Sequence, residues 1–543
     1  MSALWPRGWR AALPELLQRE WDLLVIGGGI TGAGILLEAA RRGLRALLVE
    51  QRDFAWGTSS RSSKLVHGGL RYLAQGRVRL TREAVREREA LLRDAPGLVE
   101  PQRFAFPDYG TSTRKRRTML AGLALYDLFA GRRERHWLDA DEFALLAPNV
   151  ARAQLAGGVV YMDAKTDDAR LVLRTLAEAR RQGAAAVNYM AVRSLVQAGG
   201  RVTGAVLRDD AGVGAGTASL HEVRARLVID ASGAWAGQLS AQGPRLRPLR
   251  GSHLVLPAWR LPLAQAVSLM HPVDGRPVFA FPWQGATLVG TTDVDHREGL
   301  AQEASITRPE LDYLLAALRA QFPELELSET DVIATYAGVR PVVDGGPLDA
   351  PSKAGREHAI WCGDGLVGVT GGKLTTFRAI ALDVLRQARR QLPGWNDALA
   401  PVPVYEQVVL PNAPRRMPAP LLRRLAGRYG AQAQALVDAA QEGELEPVPG
   451  TETLWAELRW AARAEGVLHL DDLLLRRTRI GLLLRGGGME QMERIRATCQ
   501  AELGWNDEDW DREQAAYAAL WARHYSLPAA GTKKEGEASG HDA

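Results

Sequence analysis

The sequence predicts an α/β protein with three parts: a parallel sheet flanked by helices, an antiparallel-sheet domain and a C-terminal all-α domain. A strand, glycine turn, helix and second strand near the N-terminus predict the first part. Short strands interrupted by Pro and Gly over residues 251–293 predict the second, and a helical pattern beyond residue 412 predicts the third. A chain of 543 residues exceeds one hydrophobic core, in agreement with several structural units.

The first strand–helix–strand unit begins at residue 22. Residues 23–26 (LLVI) predict a buried strand, and residues 30–42 predict a helix with Ile35, Leu36 and Ala39 on its apolar face. Gly43 ends that helix, and residues 45–49 predict a second buried strand. One such unit implies a parallel sheet with helices packed on it.

The later elements divide the chain into segments. Helices are predicted at 78–93 and 167–182, strands at 191–196, 202–207 and 227–229, and a last strand, loop and helix start within 360–377. The helical region shows periodic segments at 421–429, 453–463, 470–484 and 489–502. We expect nucleotide-domain parts at 20–98, 161–250 and 336–395, an excursion at 99–160, a substrate domain at 251–335, a helical domain at 412–525 and a disordered tail at 526–543.

Composition excludes several protein classes. Hydrophobic residues make up 46% and charged residues 24% of the chain, which argues against a disordered, collagen-like or coiled-coil protein. Cys362 and Cys499 cannot form a disulfide framework or a cysteine-rich metal site; one disulfide is formally possible, but we expect reduced cysteines in the cytoplasm. No His, Cys or carboxylate cluster has metal-ligand spacing, so we expect no metal. The first 20 residues lack a secretory signal, and no stretch reaches the roughly 18 apolar residues of a membrane-spanning helix.

A dinucleotide fingerprint follows the first strand. Gly27, Gly29 and Gly32 have the G-x-G-x-x-G spacing, which permits a tight turn, close approach of a pyrophosphate and packing of helix on strand. Glu50 ends the second strand, where a carboxylate accepts hydrogen bonds from ribose hydroxyls. An ordinary tight turn would explain the three glycines by themselves. Their position between a predicted strand and a predicted helix, together with the acid at the end of the second strand, indicates a dinucleotide-binding site. The fingerprint does not separate FAD from NAD, although its N-terminal position favours FAD.

Several less common motifs point to one family. The stretch TSSRSSKLVHGGLRYL at 58–73, joined to VIGGGITGAG at 25–34, closely resembles the respiratory FAD-dependent glycerol-3-phosphate dehydrogenases. Further matches are GSH at 251–253, GTTD at 290–293, GVRP at 338–341 and GGKLTT at 371–376, and residues 473–481 are similar to the family's helical cap domain. The resemblance covers about residues 20–520 and implies a Rossmann-like FAD-binding domain with an antiparallel-sheet substrate domain.

The resemblance also implies a reaction. Glycerol 3-phosphate is oxidised at its secondary carbon to dihydroxyacetone phosphate, FAD accepts the hydride, and electrons pass to a membrane quinone. We expect FAD to be held non-covalently, because no histidyl or cysteinyl attachment motif is present.

A substrate that carries a phosphate dianion requires cationic side chains in its binding site. Arg340, Arg356 and Lys373 lie in the resembling segments and are the phosphate candidates, with solvated surface charge as the alternative for each. Arg71 and Tyr72 follow a glycine pair where the loop should pass the flavin ring. His253 is the candidate general base because imidazole titrates near neutral pH; a structural histidine, or arginines that stabilise the alkoxide directly, are the alternatives.

The cofactor side is expected to use small polar residues and backbone groups. We expect the loop at 58–64 to contact flavin phosphate or ribityl oxygens, and Gly233 to lie in a second flavin motif near the adenine side. The glycine pair at 371–372 and the threonine that follows should reach the isoalloxazine ring at a helix start. The cofactor candidates are Gly27, Gly29, Gly32, Glu50, Thr58, Ser59, Ser63, Lys64, Gly233, Gly371, Gly372 and Thr375.

A basic collar beside an apolar helix suggests contact with an anionic membrane. Arginine and lysine fill residues 114–117, residues 119–129 are largely apolar, and arginines return at 132, 133 and 135. The alternative is a helix buried in the protein with a solvated flank. We therefore expect a cytoplasmic protein bound peripherally to the inner face of the cell membrane. The oligomeric state is open, a homodimer included.

Other functions compete with the dehydrogenase. A soluble glycerol-phosphate oxidase would pass electrons to oxygen, and an amine or amino-acid oxidase could share the fold. The net charge of +5 and pI near 9.2 would also allow nucleic-acid binding, but the arginines lack aromatic interleaving or a recognised nucleic-acid motif. We expect no nucleic-acid partner.

Overall fold

The computed structural model describes residues 3–74, 76–110, 113–211, 219–239, 243–344, 357–392 and 403–529. Arg356 and most of the predicted disordered tail lie outside these ranges, and the side chain of Arg71 is not described.

The strands form two sheets, and the chain passes between them several times. They are β1 (Trp21–Ile26), β2 (Ala46–Val49), β3 (Leu65–Val66), β4 (Val99–Asp108), β5 (His136–Leu138), β6 (Gly157–Thr166), β7 (Ala185–Val187), β8 (Met190–Ala198), β9 (Arg201–Asp209), β10 (Ser219–Asp230), β11 (Leu246–Pro257), β12 (Ala266–Met270), β13 (Pro277–Trp283), β14 (Ala286–Gly290), β15 (Val294–Asp295), β16 (Ala334–Val343), β17 (His358–Gly363) and β18 (Leu366–Gly371).

The α-helices flank both sheets and then dominate the C-terminal part. They are α1 (Leu13–Leu17), α2 (Ile30–Ala40), α3 (Leu70–Ala74), α4 (Val78–Asp94), α5 (Thr113–Ala130), α6 (Ala140–Leu146), α7 (Asp168–Arg181), α8 (Arg308–Gln321), α9 (Phe377–Ala388), α10 (Ala419–Tyr429), α11 (Ala433–Ala439), α12 (Trp455–Ala464), α13 (Ile480–Leu483), α14 (Met492–Leu503) and α15 (Asp507–His524). A short π-helix spans Asp472–Arg477.

The first sheet is the nucleotide sheet. Its strands run in the order β17-β18-β10-β1-β2-β7, and the pairs within β18-β10-β1-β2-β7 are parallel. β1 and β2 are buried along their whole length, as expected for strands covered by helices on both faces. Helices α2, α7 and α9 contribute to one hydrophobic core on this sheet. The parallel strands therefore end together at one edge, where α/β sheets bind ligands.

The second sheet lies across that edge. Its order is β15-β11-β14-β13-β12-β4-β6-β3, with β16 paired to β11 and β5 to β6. Neighbouring pairs are antiparallel except β12 with β4. The segment 99–160, predicted as an excursion, supplies β4, β5 and part of β6, so it belongs to this sheet together with strands from 246–343.

The C-terminal helices pack on the second sheet and also contact the nucleotide domain. Trp455, Leu473 and Tyr517 share a core with Trp283 and Tyr336 of the sheet. At the nucleotide domain, buried Asp53 accepts hydrogen bonds from Arg476 Nε and Arg477 Nη1, each at 2.5 Å. Burial alone would raise the pKa of Asp53, but Arg477 and Arg476 lower it to about 2.

This topology confirms the predicted fold class: an α/β nucleotide domain, an antiparallel-sheet domain and a helical C-terminal region. In the parts of the chain that the structure describes, no helix is both long and apolar enough to cross a bilayer.

Candidate functional site

A cavity of about 610 Å³ follows the edge where the parallel strands end and continues beneath the second sheet. Its wall includes Ile26, Val49 and Gly371, which end β1, β2 and β18, and Ala231, which follows β10. Residues of β13 and β16 close the opposite side. Ligand pockets of this size hold drug-sized or cofactor-sized molecules.

The glycine turn forms one end of this cavity. Gly27 has a φ of +112°, and a Cβ there would lie 2.6 Å from the carbonyl oxygen of Ala231. A Cβ on Gly32 would lie 1.9 Å from the carbonyl oxygen of Gly27, so α2 packs closely on the turn. Gly29 caps α2, and Ser59 Oγ accepts a hydrogen bond from the amide of Ile30 at 3.0 Å. This helix N-terminus offers the amides and positive dipole end that a pyrophosphate requires.

Glu50 lies beside the turn at the end of β2. Its carboxylate accepts hydrogen bonds from the amides of Gly28 at 2.6 Å and Arg52 at 2.9 Å. Burial raises the pKa of Glu50. Because Glu50 also lines the cavity, its carboxylate is within reach of a ligand beside the glycine turn.

The loop at 57–64 divides its side chains between the cavity and the interior. Thr58, Ser59 and Ser63 line the cavity. Lys64 points away from it: its ammonium lies 2.9 Å from Asp168, and both side chains are fully buried. Burial lowers the pKa of Lys64 to about 8, although Asp168 opposes the shift. A direct contact between Lys64 and a cofactor is therefore at odds with this geometry, and the role of Lys64 stays a prediction.

A second glycine turn lies farther along the cavity. Gly371 and Gly372 have φ values of 78° and 79°, directly before a 3₁₀ turn that leads into α9. Thr375 Oγ1 accepts a hydrogen bond from the amide of His67 at 3.1 Å, which joins this turn to the loop before α3. Gly233 lines the cavity, and its carbonyl accepts a hydrogen bond from Thr370 Oγ1 at 2.9 Å.

Cationic side chains line another part of the cavity wall, which we call the cationic end. Arg340 donates hydrogen bonds to Asp293 Oδ1 at 3.3 Å and Thr291 Oγ1 at 3.1 Å. Lys373 Nζ lies 3.6 Å from the ring centre of Tyr72, a cation–π contact. Arg340, Lys373 and Tyr72 all line the cavity. This end therefore concentrates positive charge next to an aromatic wall.

Two cations of the cavity wall, Arg61 and Arg276, are not among the residues predicted from the sequence. Arg276 lines the same cavity, and its Nη2 lies 3.5 Å from Asp293 Oδ2. Asp293, whose side chain is 2% exposed, thus lies between the guanidinium groups of Arg276 and Arg340. Arg276 follows an Asp-Gly turn outside the motifs that define the family resemblance, so its sequence context does not distinguish it from a surface arginine.

His253 lies behind the cavity wall. Its Nε2 pairs with Ser63 Oγ at 2.9 Å, and its ring stacks on Tyr336 with centres 4.6 Å apart. No hydrogen-bond partner for Nδ1 is found among the described residues. Burial lowers the pKa of His253 well below its usual value, and Arg340 and Lys64 lower it further. His67, by contrast, lines the cavity itself.

The structure therefore brings most of the predicted site residues together. Those that line the cavity are Gly27, Gly29, Glu50, Thr58, Ser59, Ser63, Tyr72, Gly233, Arg340, Gly371, Gly372, Lys373 and Thr375. Gly32, Lys64 and His253 lie behind its wall. The Arg71 side chain and Arg356 are outside the described parts of the structure.

Comparison with known proteins identifies the family. Residues 22–378 match the FAD dependent oxidoreductase family (DAO), and residues 384–510 match the C-terminal domain of alpha-glycerophosphate oxidase. The chain belongs to the FAD-dependent oxidoreductase family. The family predicted from the motifs and the FAD cofactor are thereby confirmed.

Several relatives within this family carry the name glycerol-3-phosphate dehydrogenase. Glycerol-3-phosphate dehydrogenase 2 of Mycobacterium tuberculosis is 35% identical, covering 95% of this chain and 91% of the relative. The aerobic glycerol-3-phosphate dehydrogenase of Bacillus subtilis is 38% identical over 70% of this chain and 69% of its own length. The X-ray structure of the glycerol-3-phosphate dehydrogenase from Bacillus halodurans complexed with FAD has a TM-score of 0.76 at 29% identity, covering 98% of this chain and 100% of that one.

No group of three or more His, Cys, Asp or Glu side chains suited to a metal ion occurs within the described ranges. The absence of a metal, like the non-covalent attachment of FAD, stays a prediction.

Proposed function

We propose that this protein oxidises sn-glycerol 3-phosphate at its secondary carbon to dihydroxyacetone phosphate, with FAD as the hydride acceptor. One observation carries the proposal: a single cavity is lined both by a dinucleotide turn and by Arg276, Arg340 and Lys373. The names of the relatives support the same substrate. When bound, FAD supplies the redox chemistry, and the protein's part is to bind and orient.

The FAD-dependent family and the donor set agree on where the cofactor would lie. Gly27 and Gly29 would hold the pyrophosphate at the start of α2, and Glu50 would accept hydrogen bonds from the ribose. Gly371, Gly372 and Thr375 would reach the flavin ring. These placements use only groups that line the cavity or cap α2.

The cationic end would bind the phosphate. A dianion needs several positive donors, and a guanidinium group can donate to two of its oxygens at once. Asp293 orients Arg276 and Arg340, because it contributes one close oxygen to each guanidinium group. Held by its phosphate, the substrate would present its hydroxyl-bearing carbon toward the flavin.

Two imidazoles are candidates to accept the hydroxyl proton. We favour His253 acting through Ser63, because Ser63 lines the cavity and its Oγ lies 2.9 Å from His253 Nε2. The lowered pKa keeps this imidazole neutral at pH 7 but also makes it a weaker base. His67 has the more direct access, since it lines the cavity. The alternative without a base is stabilisation of the alkoxide by the neighbouring arginines.

Anaerobic reduction of the flavin tests this function. Purified holoprotein should lose its yellow absorbance on addition of glycerol 3-phosphate, and glycerol should bleach it far less because it lacks the phosphate. A colourless preparation, or flavin that glycerol 3-phosphate leaves oxidised, contradicts the proposal.

The electron acceptor is proposed to be a membrane quinone. The relatives are named dehydrogenases and not oxidases, which favours an acceptor other than oxygen, whereas the match to the C-terminal domain of an oxidase favours oxygen. Hydrogen peroxide formed in equal amount with the oxidised substrate would select the oxidase. Reduction of a soluble quinone analogue without peroxide would select the dehydrogenase.

We propose peripheral attachment to the inner face of the cell membrane through α5. Its buried side, Leu123 and Tyr126, packs against the protein, while Leu128 is 72% exposed and Arg117 and Arg133 face solvent. The protein should pellet with anionic liposomes at low salt and not with zwitterionic ones. Replacing both arginines by Glu should abolish pelleting, with Arg245→Glu as an exposed control on another surface. Equal pelleting of both variants would exclude α5 as the contact.

A further inference from the structure

The loop at 57–64 has a rear face that the proposed mechanism does not use. On that face Asp168, at the start of α7, accepts hydrogen bonds from the Ser62 amide at 2.9 Å and from Ser62 Oγ at 2.7 Å. It also binds the Lys64 ammonium at 2.9 Å. Asp168 is completely buried, so these contacts fix the backbone of the loop directly behind the cavity.

An arginine of the C-terminal domain reaches the same point. Arg479 Nη1 donates to the carbonyl of Ser60 at 3.2 Å, Nε donates to Asp167 Oδ1 at 2.9 Å, and Nη2 binds Asp168. Nη1 also donates to the carbonyl of Leu475 at 2.7 Å, which ties the side chain to its own domain. The Arg479 side chain is 1% exposed, and each of its three nitrogens has a partner.

The backbone conformation of Arg479 directs this side chain toward the nucleotide domain. Its φ is 65°, a left-handed conformation uncommon for a residue with a side chain, between the π-helix and α13. Such a conformation persists when surrounding contacts determine it. Here those contacts are the interdomain hydrogen bonds themselves.

Charge balance makes the C-terminal domain necessary at this place. Asp167 and Asp168 are adjacent, buried carboxylates, and Lys64 is the cation that the nucleotide domain places against Asp168. The C-terminal domain adds Arg479 to both carboxylates and Arg428 to Asp167. Without Arg479, the ion pairs that the described residues make with these carboxylates reduce to Lys64 with Asp168 and Arg428 with Asp167, and the carbonyl of Ser60 loses a hydrogen bond. The loop and α7 must therefore rearrange locally.

We propose that Arg479 is a positioning residue for the FAD and substrate site. It holds residues 60–64 in the conformation that presents Ser59 to the start of α2 and Ser63 to His253. The C-terminal domain is then a structural part of the site and not only a cover over the second sheet. The inference rests on the proposed assignment of the cavity to FAD and substrate.

Titration of apoprotein with FAD tests the proposal, with Arg459→Gln as the control for Arg479→Gln. Arg459 is also largely buried and ion-paired, with Glu444 and Glu502, but all three residues belong to the C-terminal domain. Both substitutions remove a buried cation, so both should lower thermal stability. Arg479→Gln alone should weaken FAD binding by roughly tenfold or more and change the visible spectrum of the bound flavin.

A conservative variant keeps the test decisive. Arg479→Lys retains the charge but cannot reproduce all the hydrogen bonds, so we expect an FAD dissociation constant between those of wild type and Arg479→Gln. If the Gln variant does not fold, the Lys variant decides: weakened FAD binding supports the proposal, and wild-type binding overturns it. Equal FAD affinity in Arg479→Gln and Arg459→Gln also overturns it.

The two proposals fail in different ways. A wild-type flavin that glycerol 3-phosphate cannot bleach would overturn the proposed substrate, yet the FAD titration would still report on Arg479. Normal bleaching in the wild type together with unchanged FAD affinity in both Arg479 variants would overturn the positioning role alone.

Discussion

The two ends of the cavity are built in opposite ways. The glycine end depends on absent side chains, because a Cβ on Gly27 or Gly32 would run into backbone atoms. The cationic end depends on three side chains from segments that are distant in sequence: Arg276, Arg340 and Lys373. The glycine turn is contiguous in sequence, although it packs on Ala231, whereas the cationic end exists only once distant segments have packed together. We therefore expect substitutions at the glycine end to remove the cofactor, and substitutions at the cationic end to weaken binding of the substrate.

The largest effect is expected at the glycine end. Gly32→Ala places a Cβ 1.9 Å from the carbonyl of Gly27, so the turn or α2 must move. We expect FAD affinity to fall by about 100-fold, measured as the ratio of flavin to protein after purification. Gly299→Ala is the control, because a Cβ there meets nothing within 4 Å. A Gly32→Ala protein that keeps its yellow flavin would contradict the assignment of the glycine end to the cofactor.

The next effect concerns the proton acceptor between the two ends. If His253 acts through Ser63, His253→Asn should lower kcat by up to about 100-fold while FAD stays bound. His67→Asn should then have a smaller effect on kcat. The reverse order would assign the proton to His67, which lines the cavity. Stopped-flow reduction of the flavin measures both variants.

A smaller effect is expected from Arg340→Ala. Loss of its charged hydrogen bonds to the phosphate should lower kcat/KM by roughly 10- to 100-fold, mainly through KM. FAD content should not change, because the glycine end is untouched. Arg247→Ala is the control, since Arg247 lies on the neighbouring β11 and pairs with Asp295 outside the cavity. Loss of FAD in Arg340→Ala would reassign the residue to the cofactor.

Asp293→Asn should have a milder effect on the same end. Without the shared carboxylate, Arg276 and Arg340 keep their charges but lose their common orienting partner. We expect KM to rise roughly fivefold to tenfold, consistent with about 1 kcal/mol for an orienting contact. A KM unchanged from wild type would show that the arginines need no such support.

The smallest effect is on stability as a function of pH. The native pKa of His253 is below its unfolded value near 6.5, so the unfolded state binds more protons as pH falls below 6.5. The stability that neutral His253 provides is complete above pH 6.5 and is lost progressively below it. Wild type should therefore lose up to about 1.4 kcal/mol per pH unit more than His253→Asn over that range. Urea unfolding at pH 7 and pH 5.5 measures the difference, and parallel losses would contradict it.

What the sequence could predict follows the same division. The glycine turn, Glu50 and the loop at 58–73 are contiguous with recognisable strands and helices, so local pattern was enough to predict the FAD domain. The partners of Lys64 and His253 were not predictable in this way. Asp168 lies 104 residues beyond Lys64, and Ser63 lies 190 residues before His253. Burial and ion pairing across such separations decide where a side chain points, and one sequence does not record them.

The positions of Arg276 and of the segment 99–160 could not be predicted for the same reason, because both depend on contacts between distant parts of the chain. Arg276 owes its place to the pairing of β13 with its neighbours, and β4 owes its place to β6 and β12. Sheet register of this kind depends on strands far apart in the chain.

The contact of Asp53 with Arg476 and Arg477 has a consequence for biosynthesis. A ribosome delivers Asp53 more than 400 residues before the two arginines that neutralise it. Until those arginines emerge, the segment after β2 cannot bury its carboxylate at an acceptable energetic cost. We therefore expect cofactor loading to wait until nearly the whole polypeptide has been translated, and chains that terminate before residue 476 should accumulate without flavin.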